Sequence, residues 1–457
     1  MTTHTFDAVV VGLGPGGEDL AGKLAEAGMS VVGIEGNLVG GECPYWGCVP
    51  SKMMVRAANL LAEARRIPGM AGASEVTPDW APVAHRIRAE ATDNWNDRVA
   101  VERLEGKGGT FVRGWAKVTG PRSVAVGGDQ YTASRALVLA TGTEPAVPPI
   151  GGLAGTPYWT NRHAIEVETL PRSLAILGGG SVGVELGQVF ARFGVEVTVI
   201  EALDRLVALE EPEASELVAT ALAEDGIQLR VGTGATKIGY SPADGFAVHL
   251  NGTEPVTAER LLVATGRHTA LDRLGVEALG VPGVTSGAKW LPIDEHCRVA
   301  PGVWAIGDVT GKAAFTHMAM YQAGIATRSI LGEVGPPADY RAVPRVTFTD
   351  PEVGAVGMTE AQARDEGLPI RIGFSRVPES ARGWIHKAGN AGFIKLIEDS
   401  DRGVLVGATS VGPVGGEVLG ALAVAIRATV RTEALRHMIY AYPTFHRGIE
   451  DALRNLG

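Results

Sequence analysis

The chain has 457 residues, 45% of them hydrophobic and 20% charged, with a formal net charge of -10 at pH 7. That length predicts about three domains with their own cores, and the acidic balance excludes the basic surplus of a nucleic-acid or anionic-membrane binder. Three cysteines are too few for a structural disulfide framework.

The N-terminus passes from Met1-Thr2-Thr3-His4 straight into a buried-strand pattern, Ala8-Val9-Val10-Val11, without a basic region or small-residue cleavage site, which predicts a cytoplasmic protein. That strand runs into Gly12-Leu13-Gly14-Pro15-Gly16-Gly17, then a helix to Ala27, then a strand from Ser30 to Ile34 ending in Glu35. This order is a dinucleotide-binding βαβ unit. Its glycines let backbone approach a pyrophosphate at a helix N-terminus, and its terminal carboxylate accepts ribose hydroxyls. The order recurs in the strand Leu174 to Leu177, Gly178-Gly179-Gly180-Ser181-Val182-Gly183, a helix, the strand Glu196 to Ile200, and Glu201. Gly12 and Glu35 have the same separation as Gly178 and Glu201.

Each unit is closed by a strand entering Ala-Thr-Gly, at Leu137 to Gly142 and Leu261 to Gly266. A further strand, Val303 to Ile306, leads into Gly307-Asp308 and returns the chain to the first unit. There Asp308 suits a flavin's ribityl or phosphate region, although Gly-Asp after a strand is also a common turn. Pro145-Ala146-Val147-Pro148-Pro149 and Gly335-Pro336-Pro337 read as linkers. Beyond Val343, strand-like segments Gly392 to Ile397 and Val404 to Ala408 precede a helical run, Glu417 to Thr429, which predicts a separate α+β domain. The apolar run Val418 to Ile426, stopped by Arg427, is short of the roughly 20 residues that span a bilayer, so no membrane association is expected.

Two cysteines, Cys43 and Cys48, fall just after the first glycine turn. On a regular helix such positions lie about 8 to 9 Å apart, whereas a disulfide needs roughly 4.4 to 6.8 Å between Cα atoms, so a bond requires a distorted turn. Pro44, Gly47 and Pro50 suit one. If Cys43 starts the helix continued by Ser51 to Arg66, the helix dipole and Lys52 favour a thiolate there. Zinc would need further ligands, and only Cys297 and His296 offer any; two inert thiols are the other alternative to a redox pair.

Gly41-Glu42-Cys43 through Pro50-Ser51-Lys52, Ala305-Ile306-Gly307-Asp308, and Thr347-Phe348-Thr349-Asp350-Pro351-Glu352-Val353-Gly354 together resemble the class I pyridine nucleotide-disulfide oxidoreductases, the family of lipoamide dehydrogenase, glutathione reductase and mercuric reductase. The resemblance spans essentially the whole chain. It implies an α/β fold with two Rossmann-like domains, for FAD (1–149 and 267–337) and NAD(P) (150–266), and a C-terminal α+β dimerisation domain (338–457). The implied activity takes hydride from the nicotinamide through the flavin to a Cys43–Cys48 disulfide and on to a disulfide-type, small-molecule acceptor, in a homodimer without nucleic acid or membrane. Cys48 is then the thiolate facing the flavin, Cys43 the exchanging sulfur, and Lys52 with Glu185 an ion pair near flavin N5. Cofactor-binding positions are Gly12, Gly14, Gly17, Glu35, Gly41, Lys52, Ala116, Thr141, Gly142, Asp308 and Thr316 for FAD, and Gly178, Gly180, Gly183, Glu201 and Gly266 for the nicotinamide nucleotide. Glu201 favours NADH, because a carboxylate accepts from a 2′-hydroxyl and repels a 2′-phosphate, with Arg205 close by in sequence.

Disulfide-reducing relatives end in His-Pro-Thr with a glutamate beyond, whereas this chain reads Ala441-Tyr442-Pro443-Thr444-Phe445-His446-Arg447. Tyr442 takes the histidine's place, and tyrosine, with a reference pKa of about 10, is a poor base near neutrality. His446 and Glu450 have helical spacing and would form a relocated acid–base pair if a helix follows Pro443. His317 sits where relatives often have a histidine near the flavin. The alternatives are an NAD(P)H-dependent quinone or metal-ion reductase and, in another class, a redox-sensing flavoprotein without turnover.

Overall fold

The computed structural model describes residues 2–457, and the chain divides into two compact units, each assembled from separated segments. The first takes the chain up to Pro50, His85–Ala146 and Arg267–Tyr340. Its sheet runs in the order Arg298–Ala300, Val303–Ala305, Asp129–Leu139, Thr3–Val11, Val31–Glu35, Thr110–Arg113. Neighbours along this path are parallel except the first pair, and two further strands extend Asp129–Leu139 in antiparallel fashion, Ser123–Val126 against it and Lys117–Gly120 against Ser123–Val126. The strand Thr3–Val11 shows no alternation of apolar and polar residues over its second half. Ala8, Val9, Val10 and Val11 are all buried, as expected where both faces of a parallel sheet are covered. The helix Pro15–Glu26 starts with proline, whose missing N–H costs nothing at that position, and buries Leu20, Ala21 and Leu24 in a core with Val10, Val138 and Ile306. As read from sequence, Val303–Ala305 joins this sheet beside Asp129–Leu139.

The second unit takes Ser51–Ala84, Val147–Gly266 and Arg341–Gly457. Its parallel sheet runs Gln228–Val231, Glu196–Glu201, Ser173–Leu177, Arg260–Val263. The register repeats that of the first unit: Leu177 pairs with Ile200 and Val263, as Val11 pairs with Ile34 and Leu139. A three-stranded antiparallel sheet, Ala235–Ser241, Gly245–Leu250 and Thr253–Ala258, accompanies it. A separate five-stranded antiparallel sheet runs Pro344–Thr347, Glu352–Gly357, Val404–Gly412, Phe393–Asp399, Ile370–Arg376. Val418, Leu419 and Leu422 of the helix Gly415–Arg427 share a core with Val356, Leu396 and Leu405 of that sheet. The helix ends earlier than the pattern to Thr429 predicts, since Thr429 itself is left-handed (φ +49°). No helix among the described residues is long and apolar enough to cross a membrane.

Candidate active site

The two glycine turns have the same geometry. Gly12 (φ +90°) and Gly178 (φ +109°) adopt the left-handed region, and a Cβ on either would lie 2.4 or 2.3 Å from the carbonyl oxygen of Ala140 or Ala264. A Cβ on Gly17 or Gly183 would lie 2.0 Å from the oxygen of Gly12 or Gly178, so these residues permit close helix–strand packing. By contrast, a Cβ on Gly14 or Gly180 meets no protein atom within 4 Å. These two residues cap the helices Pro15–Glu26 and Ser181–Arg192 without a side-chain hydrogen bond. First-turn N–H groups therefore face open space, as a pyrophosphate site requires.

Glu35 accepts from the amides of Leu13 (2.8 Å) and Asn37 (2.7 Å), and Glu201 from those of Gly179 (2.6 Å) and Leu203 (2.8 Å). Each strand-end acid thus braces its own glycine turn. Burial pushes the Glu35 carboxyl above its ordinary range against the pull of those two amides. Asp308, on the turn Gly307–Thr310, accepts from Thr143 Oγ1 at 2.8 Å, and Thr143 accepts from Arg267 Nε at 2.7 Å. Burial raises the Asp308 carboxyl too, with Thr143 and Arg267 opposing it. A half-buried carboxyl within the first unit, whose sheet carries the open Gly14 turn, fits the polyol and phosphate chemistry of FAD. Thr141 and Gly142 (φ +65°) follow the closing strand, Gly266 (φ +117°) follows its counterpart, and Ala116 packs on the first unit's core. Thr143 escaped sequence reading because its contact to Asp308 spans 165 positions.

Gly41 (φ +66°) brings the cysteine motif against the glycine turn, with room for no more than a hydrogen: a Cβ would lie 2.9 Å from Gly14 Cα. Cys43 then sits in a single helical turn, Glu42–Tyr45, which breaks at Trp46 and Gly47 before the long helix Cys48–Arg65 begins. This corrects the expectation that Cys43 begins the long helix. Cys48 is its first residue, and Trp46 and Gly47 occupy the interruption. Cys48 Sγ also lies 3.2 Å from Oγ1 of Thr316, the first residue of the helix Thr316–Leu331. Two helix N-termini converge on one sulfur, which favours a thiolate there. The two cysteines carry thiols that hydrogen-bond one another, and this bond, followed by burial, pushes the Cys43 thiol far above its ordinary range, with Thr316 opposing. Cys297 is wholly buried, and among the described residues no three or more His, Cys, Asp or Glu side chains are grouped so that they could hold a metal ion.

One turn beyond Cys48 on the same helix, Lys52 Nζ lies 2.6 Å from Glu185 Oε2 and 4.6 Å from the centre of the Phe348 ring. Glu185 Oε1 accepts from Phe348 N at 2.8 Å. Gln188 and Arg192, on successive turns of the Glu185 helix, bind Asp350, so the segment Thr347-Phe348-Thr349-Asp350 is fastened along that helix. The role of Phe348 was not read from sequence; the distance along the chain hides it.

The expected His446–Glu450 pair does not form. The helix starts at Gly448, leaving His446 in the preceding turn, and Glu450 is held by Arg447 (3.2 Å) and by Arg454. Two guanidinium groups outcompete an imidazole for one carboxylate. Tyr442 is exposed, with the Arg447 guanidinium 5.1 Å from its ring centre. His317 stacks on Phe315 at 5.0 Å.

Residues 6–323 match the family described as pyridine nucleotide-disulphide oxidoreductase, and residues 343–453 match the dimerisation domain of that family. The chain belongs to this family. Its members are FAD-dependent enzymes that use a pyridine nucleotide, and this chain is an oxidoreductase of that type. A dihydrolipoyl dehydrogenase of Thermus scotoductus is 32% identical, covering 99% of this chain and 97% of its own length. A mercuric reductase of Acidithiobacillus ferrooxidans is 35% identical, covering 96% of this chain and 81% of its own. Among solved structures, the Cu(II) complex of the HOCl-induced flavoprotein disulfide reductase RclA from Escherichia coli superposes with a TM-score of 0.86 at 27% identity, covering 99% of both chains.

Proposed function

We propose that this chain is an FAD-dependent NADH oxidoreductase that passes two electrons through the Cys43–Cys48 pair to a small disulfide, working as a homodimer. The observation that carries this reading is the setting of Cys48, at the convergence of two helix N-termini with the Cys43 thiol hydrogen-bonded to it. In this assignment residues 1–149 and 267–337 hold the flavin, 150–266 the nicotinamide nucleotide, and 338–457 the partner copy.

Bound FAD supplies a two-electron carrier between the nicotinamide and the cysteines. The Gly14 and Gly180 turns offer amides to the two pyrophosphates, Glu35 and Glu201 accept from ribose hydroxyls, and Asp308 anchors the flavin's polyol region. Lys52, fixed by Glu185, supplies a positive charge for the reduced cofactor. Cys48 is the thiolate and Cys43 holds the proton. Once Cys43 loses that proton, its sulfur attacks one sulfur of the acceptor, breaking the S–S bond, forming a mixed disulfide and releasing one thiol. Cys48 then attacks Cys43, restores the Cys43–Cys48 disulfide and expels the second thiol. The balance is NADH, a proton and one disulfide giving NAD⁺ and two thiols.

NADH is preferred because Glu201 repels a 2′-phosphate while Arg205, the nearby cation in sequence, is spent on the carbonyls of Ala208 and Glu210 (2.7 Å each). A second reading, a metal-ion or quinone reductase, rests on the cleft over Cys43, whose described lining contains no histidine to take the thiol's proton. Tyr442 stands where the relatives' histidine is expected, which favours this second reading too.

Anaerobic titration with NADH, followed by a panel of disulfide, quinone and metal acceptors, tests both. A long-wavelength thiolate-to-flavin band after two electrons is expected and should vanish in Cys48→Ser. Its absence in the wild type overturns the role of Cys48, and quinone turnover that survives Cys43→Ser without any disulfide turnover selects the second reading.

A further inference from the structure

Cys43 opens into a cleft of about 390 Å³ within the first unit, lined also by Glu18, Thr92, Asp93, Asn96 and Arg103. One wall has an unusual backbone. A π-helical turn, Ile87–Ala91, is followed by three consecutive left-handed residues, Asp93 (φ +46°), Asn94 (φ +55°) and Trp95 (φ +56°). Asparagine and aspartate tolerate that region, whereas tryptophan rarely adopts it, and such runs persist only where surrounding contacts impose them. The contacts are present. Asn94 N donates to Arg88 O (2.7 Å), Asn96 N to Thr92 O (3.1 Å), and buried Asp97 accepts from Val39 N (2.7 Å), beside the cysteine motif. The backbone of this wall is therefore held in place, and Asp93 lies on it at the lining of the cleft.

The charges of the cleft do not cancel. Glu18 is neutralised by Arg103 at 2.6 Å. Asp93 is exposed, and no cation pairs with it among the described residues. The net charge of this lining is one negative, added to the charge that Cys43 acquires when it reacts.

We infer that the cleft over Cys43 selects its acceptor by charge, taking cationic or neutral small disulfides and rejecting anionic ones, with Asp93 as the discriminating residue. This rests on the reading of Cys43 as the exchanging sulfur. Because the whole chain is also acidic, the local contribution must be separated from the long-range field, which a single neutral substitution does. Asn is as well suited as Asp to a left-handed position, so Asp93→Asn keeps the wall.

The test uses the intact holoenzyme with NADH and three disulfides of similar size: cystamine, bis(hydroxyethyl) disulfide and dithiodipropionate. At low salt kcat/KM should fall in that order, with roughly three- to tenfold between the neutral and the anionic acceptor, and the spread should shrink as salt is added. Asp93→Asn should raise the anionic-to-neutral ratio by about threefold or more, and Arg103→Gln, which unmasks Glu18, should lower it. Turnover of all three disulfides with ratios unmoved by either variant overturns the charge filter alone. Flavin reduction by NADH without turnover of any disulfide overturns both this inference and the exchanging role of Cys43.

Discussion

In the proposed disulfide exchange, the rate turns on the protonation of Cys43. Its thiol is held above the ordinary range by the hydrogen bond to Cys48 and by burial, so near neutrality the proton stays on Cys43. Only the thiolate attacks a disulfide. The sign follows: raising pH removes the proton and speeds exchange, and lowering pH slows it. With no imidazole in the described lining of the cleft, the reoxidation rate of two-electron-reduced enzyme by bis(hydroxyethyl) disulfide should climb about tenfold per pH unit between about pH 6 and 9. Stopped-flow measurement reads this directly. A flat profile would mean that another group, supplied by a partner copy, already takes the proton. The same scale explains why the His446–Glu450 spacing misled: Arg447 and Arg454, both visible in the sequence, claim Glu450, and the helix begins too late to carry His446.

At the scale of elements, the glycine turns separate two requirements that a sequence motif merges. Gly178 is glycine because a Cβ there would meet the Ala264 carbonyl, whereas at Gly180 no protein atom excludes a side chain, and the proposed reading gives that space to the ligand. Gly178→Ala would force an L side chain to φ +109° and against Ala264 O, with an expected cost of about 2 to 4 kcal/mol and a lowered melting temperature. Gly180→Ala has free space and an ordinary φ of -76°, so stability should hold while NADH affinity drops by about tenfold or more through obstruction of the pyrophosphate. Thermal melts and NADH titrations of the pair distinguish the two roles; equal NADH affinity in Gly180→Ala and wild type would remove Gly180 from the binding site. These turns were legible in sequence because their constraint is local: strand, glycine, helix and acid lie within one short stretch. The interruption between Cys43 and Cys48 was legible for the same reason, through Pro44 and Gly47. The left-handed run Asp93-Asn94-Trp95 was not, since it contains no glycine and is imposed by contacts to Arg88, Thr92 and Val39. The Phe348 clamp on Glu185 was equally hidden, 163 positions away.

Across the whole molecule, duplication made the architecture readable: the second glycine turn repeats the first down to strand register, and the family's motifs supplied the order of the parts. What the repeat does not specify is how the C-terminal sheet meets another copy. Residues 343–453 match a dimerisation domain, and this part of the chain leaves large apolar side chains in solvent, with Ile439 96% exposed, Trp384 76% and Val424 65%. Isolated exposed apolar residues are ordinary, but side chains this open in a domain of that family are candidates for burial between copies. Ile439 is the sharpest probe, since so open a side chain contributes little to the fold of its own chain. Ile439→Glu removes the gain from burying an isoleucine, about 1.5 to 3 kcal/mol, and adds the cost of desolvating a charge. The dimer should weaken by about 100-fold or more in sedimentation, with an unchanged melting temperature for a diluted, already monomeric sample. If sites are completed by the partner copy, the variant should lose disulfide turnover on dilution while NADH still reduces its flavin. A variant that stays as tightly dimeric as the wild type would place Ile439 outside the interface.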